Sequence, residues 1–175
     1  MVRDYNSKKK PALNGERLEQ LALHYAGRYA TTRAKLAAYL QRKLRERGWD
    51  GDRPPDVEGL IARFAELRYV DDTAFAAMRT ASLGRRGYGA RRIEENLRAA
   101  GIEEAERDTA RRMAEKDQWR AAEAFARKRR IGPFAAEAAD REKQQKQIAA
   151  FLRAGHDFDL ARRFVQAEPG EEMEE

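Results

Sequence analysis

The chain has 175 residues, of which 42% are hydrophobic and 38% are charged, and its formal net charge is +6. It contains no cysteine, which excludes disulfides and thiolate–zinc sites and fits a reducing compartment, so we expect a cytoplasmic protein. No run of about 18 apolar residues is present, and no apolar segment follows the charged N-terminus, so neither a membrane span nor a secretory signal is expected.

The composition favours helices along the whole chain. Alanine, leucine, arginine and glutamate are abundant and favour helices, whereas the β-branched residues that favour strands are scarce. We therefore predict an all-α fold. Residues 1–15 are polar and basic and contain Pro11 and Gly15, which predicts a flexible N-terminal arm.

Three short helices are predicted after this arm. Thr31 and Thr32 can cap the second helix, and Gly48 ends it. A loop with two prolines precedes the third helix. The apolar positions at helical spacing are Leu18, Leu21, Ala22, Tyr25, Ala26 and Tyr29 in the first helix, Leu36, Leu40 and Leu44 in the second, and Val57, Leu60, Ile61, Phe64 and Leu67 in the third.

The same pattern then recurs twice. Asp71 and Asp72 precede a helix that carries Phe75, Met78 and Ala81 and ends near Gly84; helices over about 91–100 and 102–113 follow. The last copy of the pattern begins with a helix from Asp117 to Gly132-Pro133. A polar helix over 134–153 follows, and an apolar stripe from Phe158 to Val165 ends the copy.

A local signature repeats at a period of about fifty residues. Leu44–Trp49 and Leu97–Ile102 share a leucine, basic residues, a helix-ending glycine and a resumed apolar helix, and Phe151–Gly155 is a looser third copy. We predict an elongated array of three tandem three-helix repeats, similar to helix-turn-helix units. The predicted divisions are an arm at 1–15, repeats at 16–70, 71–116 and 117–167, and an acidic tail at 168–175.

The acidic tail contains five of the glutamates, so the rest of the chain is more basic than the net charge suggests. Such a body attracts polyanions, chiefly through phosphates and independently of sequence. The tail could shield the basic surface or be a solvated end, and we favour the solvated end.

No catalytic or metal site is predicted. His24 and His156 are isolated, Ser7 and Ser82 lie in no recognisable nucleophile motif, and the carboxylates alternate with arginines as helix-surface pairs. The glycines of GRRGYG at 84–89 follow a predicted helix rather than a strand and lack the Gly-Lys-Ser/Thr of a phosphate-binding loop. We interpret them as a turn between helices and expect no cofactor.

Two basic clusters are the candidate contact surface. Arginine binds phosphate and carboxylate through a planar fork, and tyrosine adds stacking or hydrogen bonding, although cations also suit a solvated helix end. The candidates are Arg85, Arg86, Tyr88, Arg91, Arg92 and Arg98 in the first cluster and Arg127, Lys128, Arg129 and Arg130 in the second.

The central segment resembles the RecX family. Asp71–Phe75 (DDTAF), Arg86–Ile93 (RGYGARRI) and Asn96–Ile102 (NLRAAGI) resemble, in order and spacing, that family's central pattern of DDxxFA, RGYGPxRI and a leucine-ending helix closed by Gly-Ile. Weaker resemblance extends over about residues 16–166. Ala90 departs from the pattern, since the family often has proline there.

The resemblance implies a bacterial regulator that binds the RecA recombinase and RecA–DNA filaments and inhibits strand exchange and ATPase activity in DNA repair. Direct, sequence-independent contact with DNA is also expected, with the protein acting as a monomer and not as an enzyme. The alternative is a helical DNA-binding module or transcription regulator that acts without RecA, because three-helix units resemble helix-turn-helix domains.

Overall fold

Helices form almost all of the regular structure in the part of the chain that the structure describes. The computed structural model describes residues 10–174, so the first nine residues of the predicted arm and Glu175 lie outside the described residues. Within that range there is one isolated bridge, between Leu13 and Trp49, and no β-strand. The prediction of an all-α fold is confirmed. The helices are α1 (Gly15–Arg28), α2 (Arg33–Arg47), α3 (Val57–Glu66), α4 (Asp72–Arg85), α5 (Ala90–Ala99), α6 (Glu104–Lys116), α7 (Gln118–Arg129), α8 (Arg141–Arg153) and α9 (Phe158–Gln166), with a 3-10 turn at Gly132–Phe134.

The chain divides after Asp71 into two compact units. The first unit packs α1, α2 and α3 around one apolar core. Leu13 joins this core and is held by backbone hydrogen bonds, because its amide donates to the carbonyl oxygen of Gly48 and its carbonyl oxygen accepts from Asp50. The buried core residues are Leu13, Leu18, Ala22, Leu36, Leu40, Ile61, Phe64 and Val70.

Local capping explains where the helices of the first unit begin and end. The side chain of Asn14 accepts from the amide of Arg17 at the start of α1, and Thr32 Oγ1 accepts from the amide of Lys35 at the start of α2. The predicted cap at Thr32 and the predicted stop at Gly48, whose φ is +78°, are both confirmed.

The second unit holds two apolar cores. Helices α4, α5 and α6 enclose one, and α7, α8 and α9 enclose the other. The first core consists of Phe75, Ala76, Leu83, Ile93, Leu97, Ala100, Ile102, Ala110 and Ala114. The second consists of Ala122, Phe125, Ala126, Ile131, Phe151, Ala154, Ala161, Phe164 and Val165. The repeat boundaries at 16–70, 71–116 and 117–167 stay a prediction.

Some predicted apolar faces are wrong. Met78 and Ala81, both predicted on the apolar face of α4, are exposed, Met78 by 53%, while Ala76 is buried. Because the small alanine side chain lets helix backbones approach closely, Ala76 fits at the packed face of α4, and the larger Met78 lies outside. Leu67, just after α3, is also exposed.

The last three-helix group differs from the prediction at two places. The polar helix begins at Arg141 rather than at 134, because Asp140 accepts from the amide of Lys143 and caps it. The acidic tail folds back on this group: Met173 packs against its apolar core, and the amide of Gly170 donates to the carbonyl oxygen of Pro133 at 3.0 Å. The described part of the tail is therefore not a free solvated end, although its glutamate side chains are exposed.

Candidate functional site

The loop between α4 and α5 contains the three glycines of GRRGYG. Helix α4 continues through Gly84 and ends one residue later, at Arg85, so the predicted end near Gly84 is confirmed. The chain turns at Gly87, whose φ of +84° is a left-handed conformation that favours glycine. The amide of Tyr88 then donates to the carbonyl oxygen of Leu83 at 3.1 Å. The stretch is a helix end followed by a turn.

This loop is joined by its backbone to the corner between α8 and α9. The amide of Gly89 donates to the carbonyl oxygen of Ala154 at 2.9 Å, and the amide of Arg91 donates to that of Gly155 at 3.3 Å. The C-terminal end of α8 therefore meets the N-terminal end of α5. Each helix satisfies free backbone groups of the other, and their opposite partial charges attract.

The glycines allow these two segments to touch. A Cβ atom on Gly89 would lie 2.3 Å from the carbonyl oxygen of Gly155, and one on Gly87 would lie 2.8 Å from the amide nitrogen of Phe125. The amides of both glycines already donate within the protein, to Ala154 and Gly84. Neither amide is available to hold a phosphate, so the glycines make a packing contact and not a nucleotide-binding loop.

His156 completes the junction from the α9 side. Its side chain is buried between the rings of Phe125 and Phe151, and its Nε2 lies 2.9 Å from the carbonyl oxygen of Gly87. A carbonyl can only accept, so Nε2 carries the proton and donates. Burial lowers the pKa of His156, and the hydrogen bond to Gly87 opposes that shift. The neutral imidazole is a structural group here.

A pocket of about 220 Å³ opens at this junction, and we call it the seam pocket. It brings together members of both predicted basic clusters, which are more than thirty residues apart in the sequence. Its lining consists of Arg86, Tyr88, Arg92, Phe125, Lys128, Arg129, Ala150, Arg153 and Ala154. Five of these side chains are cationic and none is acidic.

Four of the five cations of the seam pocket lack carboxylate partners within the described residues. Within the described part of the chain, only Arg92 among the five forms an ion pair, with Glu95 at 3.1 Å. Several other arginines of the second unit pair along their helices, as Arg111 does with Asp108 at 2.8 Å. The pocket is therefore a local concentration of positive charge in a chain with 36 basic and 30 acidic residues.

Aromatic rings support two of these cations. The guanidinium of Arg86 lies over the ring of Tyr88, 5.5 Å from its centroid, and that of Arg129 lies over Phe125 at 5.6 Å. Stacking on a ring face leaves the N–H groups at the edge of the guanidinium plane free to donate. Such a pocket can bind an anion with several acceptor oxygens.

The structure separates the remaining candidates of the first cluster from the seam pocket. Arg85 lines a different, largely apolar cleft that also contains Thr80 and Ile93. The other two pair with carboxylates on α5: Arg91 lies 3.7 Å from Glu95, and Arg98 lies 2.7 Å from Glu94.

Two candidates of the second cluster also lie outside the pocket lining. Arg127 is 2.8 Å from Glu123, and its guanidinium stacks over Phe134 at 4.3 Å. Arg130 follows α7 in a left-handed conformation with a φ of 53° and is exposed.

Arg153 is the pocket cation that sequence reasoning missed. It stands alone between Leu152 and Ala154 near the end of α8, so no cluster of charges marks it. The available signal was its place in Phe151–Gly155, the third copy of the repeated signature, where it is the basic residue before the closing glycine.

Other kinds of site find little support among residues 10–174. No group of three or more histidine or acidic side chains there is placed to hold a metal ion. A cleft of about 750 Å³ in the first unit is lined by acidic side chains, including Asp50, Asp52 and Asp56, alongside Arg53 and Arg63. Of the helices described, none combines the length and apolar character needed to cross a membrane.

Comparison with known proteins gives a consistent result. Residues 71–110 match the family model of the second three-helix domain of RecX. The chain is 34% identical over 160 residues to the regulatory protein RecX of Myxococcus xanthus, covering 87% of this chain and 86% of that protein. It is 30% identical over 158 residues to the regulatory protein RecX of Agrobacterium fabrum, covering 88% of this chain and 84% of that protein.

Solved structures show the same fold. A crystal structure of RecX from Lactobacillus salivarius matches with a TM-score of 0.67 and 20% identity, covering 86% of this chain and 94% of that one. Another crystal structure of a regulatory protein RecX matches with a TM-score of 0.62 and 20% identity, covering 83% of this chain and 68% of that one.

Proposed function

This chain belongs to the RecX family of regulatory proteins, and from that premise we propose that it binds RecA and RecA–DNA filaments and inhibits recombinase and ATPase activity. In this proposal the protein is a monomeric, non-enzymatic regulator of DNA repair. It acts by occupying the filament, without transforming a substrate.

The observation that carries the proposal is the seam pocket. A RecA–DNA filament presents phosphates and acidic side chains, and a pocket of five cations without a carboxylate in its lining is complementary to both. Backbone hydrogen bonds from Gly89 and Arg91 fix the two walls of the pocket to each other. Its cations therefore need little reorganisation on binding, which favours affinity.

We assign the filament contact first to the seam pocket and second to the remaining candidates. The first group consists of Arg86, Tyr88, Arg92, Lys128, Arg129 and Arg153. Arg85, Arg91, Arg98, Arg127 and Arg130 form the second group, because they lie outside the pocket lining and three of them have carboxylate partners.

The deciding experiment is a RecA ATPase assay on single-stranded DNA, with a parallel strand-exchange assay. Adding the purified chain at amounts stoichiometric with RecA is expected to lower both activities. Unchanged activities at those amounts would rule out the proposed function. Higher ATPase and strand-exchange activities would support RecA as the partner but would mean that the chain activates RecA instead of inhibiting it.

A DNA-binding module that acts without RecA is the second candidate. The three-helix groups of the structure favour it, because three-helix units resemble the helix-turn-helix domains that bind duplex DNA. It predicts sequence-selective binding to duplex DNA. Binding that is salt-dependent but indifferent to sequence counts against it.

A further inference from the structure

We propose that the seam pocket is a phosphate-binding site and that a phosphodiester of the DNA backbone occupies it, an inference that rests on the proposed function. The five cations come from α5, α7, α8 and the loop before α5, so the site exists only where the last two three-helix groups meet. Neither group alone contains it.

The charge pattern is the first reason. Along the helix surfaces of this unit, several cations have acidic partners three or four residues away, as Lys146 does with Glu142 at 2.6 Å. In the described residues, four of the five pocket cations have none. Cations held near one another repel, and a bound anion offsets that repulsion.

The geometry of the donors is the second reason, and it favours phosphate over carboxylate. A carboxylate has two oxygens in one plane and suits one guanidinium fork. The seam pocket instead has cations from several elements in its lining, and two of them, Arg86 and Arg129, lie over aromatic rings. A tetrahedral phosphate can accept from donors that approach from different sides. Neighbouring phosphates of a nucleic-acid backbone can engage the exposed cations at the rim.

The rigidity of the walls is the third reason. Gly89 and Gly155 touch through backbone atoms, and Gly87 touches the backbone of Phe125. The anion site is therefore set by main-chain contacts, and its side chains project from fixed positions.

The test uses the full chain and a fluorescent single-stranded oligothymidine, without RecA. We would compare Lys128→Gln/Arg153→Gln with the control Arg111→Gln/Lys146→Gln. Each double variant removes one arginine and one lysine charge, but the control residues have carboxylate partners outside the pocket. All four residues are exposed, and circular dichroism verifies that helicity is kept.

We expect the pocket variant to lower oligonucleotide affinity roughly tenfold, and its plot of log affinity against log salt to be shallower by about one for each lost contact. The control is expected to stay within roughly twofold of the unmodified chain. Equal losses in the two variants would overturn the proposal, because they would mean diffuse attraction by the whole basic surface.

Two further arms identify the source of the anion. In ¹H–¹⁵N spectra at constant ionic strength, the oligonucleotide is expected to shift the amide signals of Gly87 and Gly89, and inorganic phosphate to shift the same signals more weakly. If phosphate saturates the pocket and the oligonucleotide does not displace it, a backbone phosphodiester is not the ligand.

The last arm measures binding to RecA in the absence of DNA. If the pocket variant loses RecA binding and keeps oligonucleotide binding, the pocket takes acidic side chains and the phosphate proposal fails while the proposed function stands. If the unmodified chain leaves RecA ATPase unchanged and still binds DNA through the pocket, the proposed function fails and the phosphate site stands.

Discussion

His156 donates a hydrogen bond from Nε2 to the carbonyl oxygen of Gly87, across 69 residues of sequence and at a distance of 2.9 Å. This contact joins the corner before α9 to the turn after α4. Gly87 lies between the pocket residues Arg86 and Tyr88, and His156 contacts the ring of Phe125 in the pocket lining. Conditions that disturb this hydrogen bond are therefore expected to disturb the pocket as well.

The first prediction concerns acid. Burial lowers the pKa of His156 below its ordinary value, which is about 6.5 in an unfolded chain. The unfolded state therefore binds the proton more readily than the folded state does. The stability contributed by neutral His156 is full above about pH 6.5 and is lost as the pH falls below that value.

Urea unfolding measured from about pH 7.5 to about pH 5.5 should show this loss. His156→Gln, which keeps an N–H donor for Gly87 but cannot titrate, is expected to flatten the pH dependence. His24→Gln, on the exposed face of α1, is the control and should keep it. Identical slopes for the unmodified chain and His156→Gln would contradict the prediction.

The second prediction is that two glycine-to-alanine changes in the same loop region have opposite signs. Gly89→Ala places a Cβ atom 2.3 Å from the carbonyl oxygen of Gly155 and is expected to destabilise the fold by about 3 kcal/mol. Gly84 lies in helix α4, and a Cβ atom there would have no neighbour within 4 Å. Gly84→Ala is therefore expected to stabilise the fold by about 0.5 kcal/mol. Thermal and urea unfolding measure both.

The third prediction concerns neighbouring arginines. Arg86 lines the seam pocket and Arg85 lines a separate cleft. Arg86→Glu is expected to raise the amount of protein needed to inhibit RecA ATPase roughly tenfold, and Arg85→Glu to raise it much less. Arg111→Glu, at a site paired with Asp108 outside the pocket, is the charge-matched control. A larger effect from Arg85 than from Arg86 would place the contact elsewhere.

The fourth prediction concerns the acidic tail. Met173 packs against the core of the last three-helix group, so Met173→Ala is expected to destabilise it by about 1 kcal/mol. Glu172→Gln changes an exposed residue of the same tail and is expected to stay within about 0.5 kcal/mol. If Met173→Ala leaves the unfolding midpoint unchanged, the tail contributes nothing to the core.

Helix identity and several helix ends could be predicted from sequence because they depend on local signals. Thr32 caps α2 through its own side chain, and Gly48 ends it through its own φ. The GRRGYG segment was harder, since two of its glycines lie three residues apart at a helix end. Only Gly87 takes a left-handed φ, and Gly84 remains helical.

The candidate site could be predicted in part. Both basic clusters were visible as runs of charge, and five of their members line one pocket. Their convergence depends on the backbone contact between Gly89 and Ala154, which no periodicity encodes. Arg153 was missed for the same reason: it joins the site through packing of α8 against the loop, and its sequence neighbours are apolar.

The meeting of α8 with α5 limits how far this chain can be treated as a set of exchangeable repeats. The amides at the start of α5 depend on carbonyl groups of Ala154 and Gly155, which lie more than fifty residues later. Cutting or recombining the gene between α6 and α7 would leave donors on one fragment and acceptors on the other. The two three-helix groups of this unit would therefore have to be inherited together, and they would have to be transferred together to any other protein.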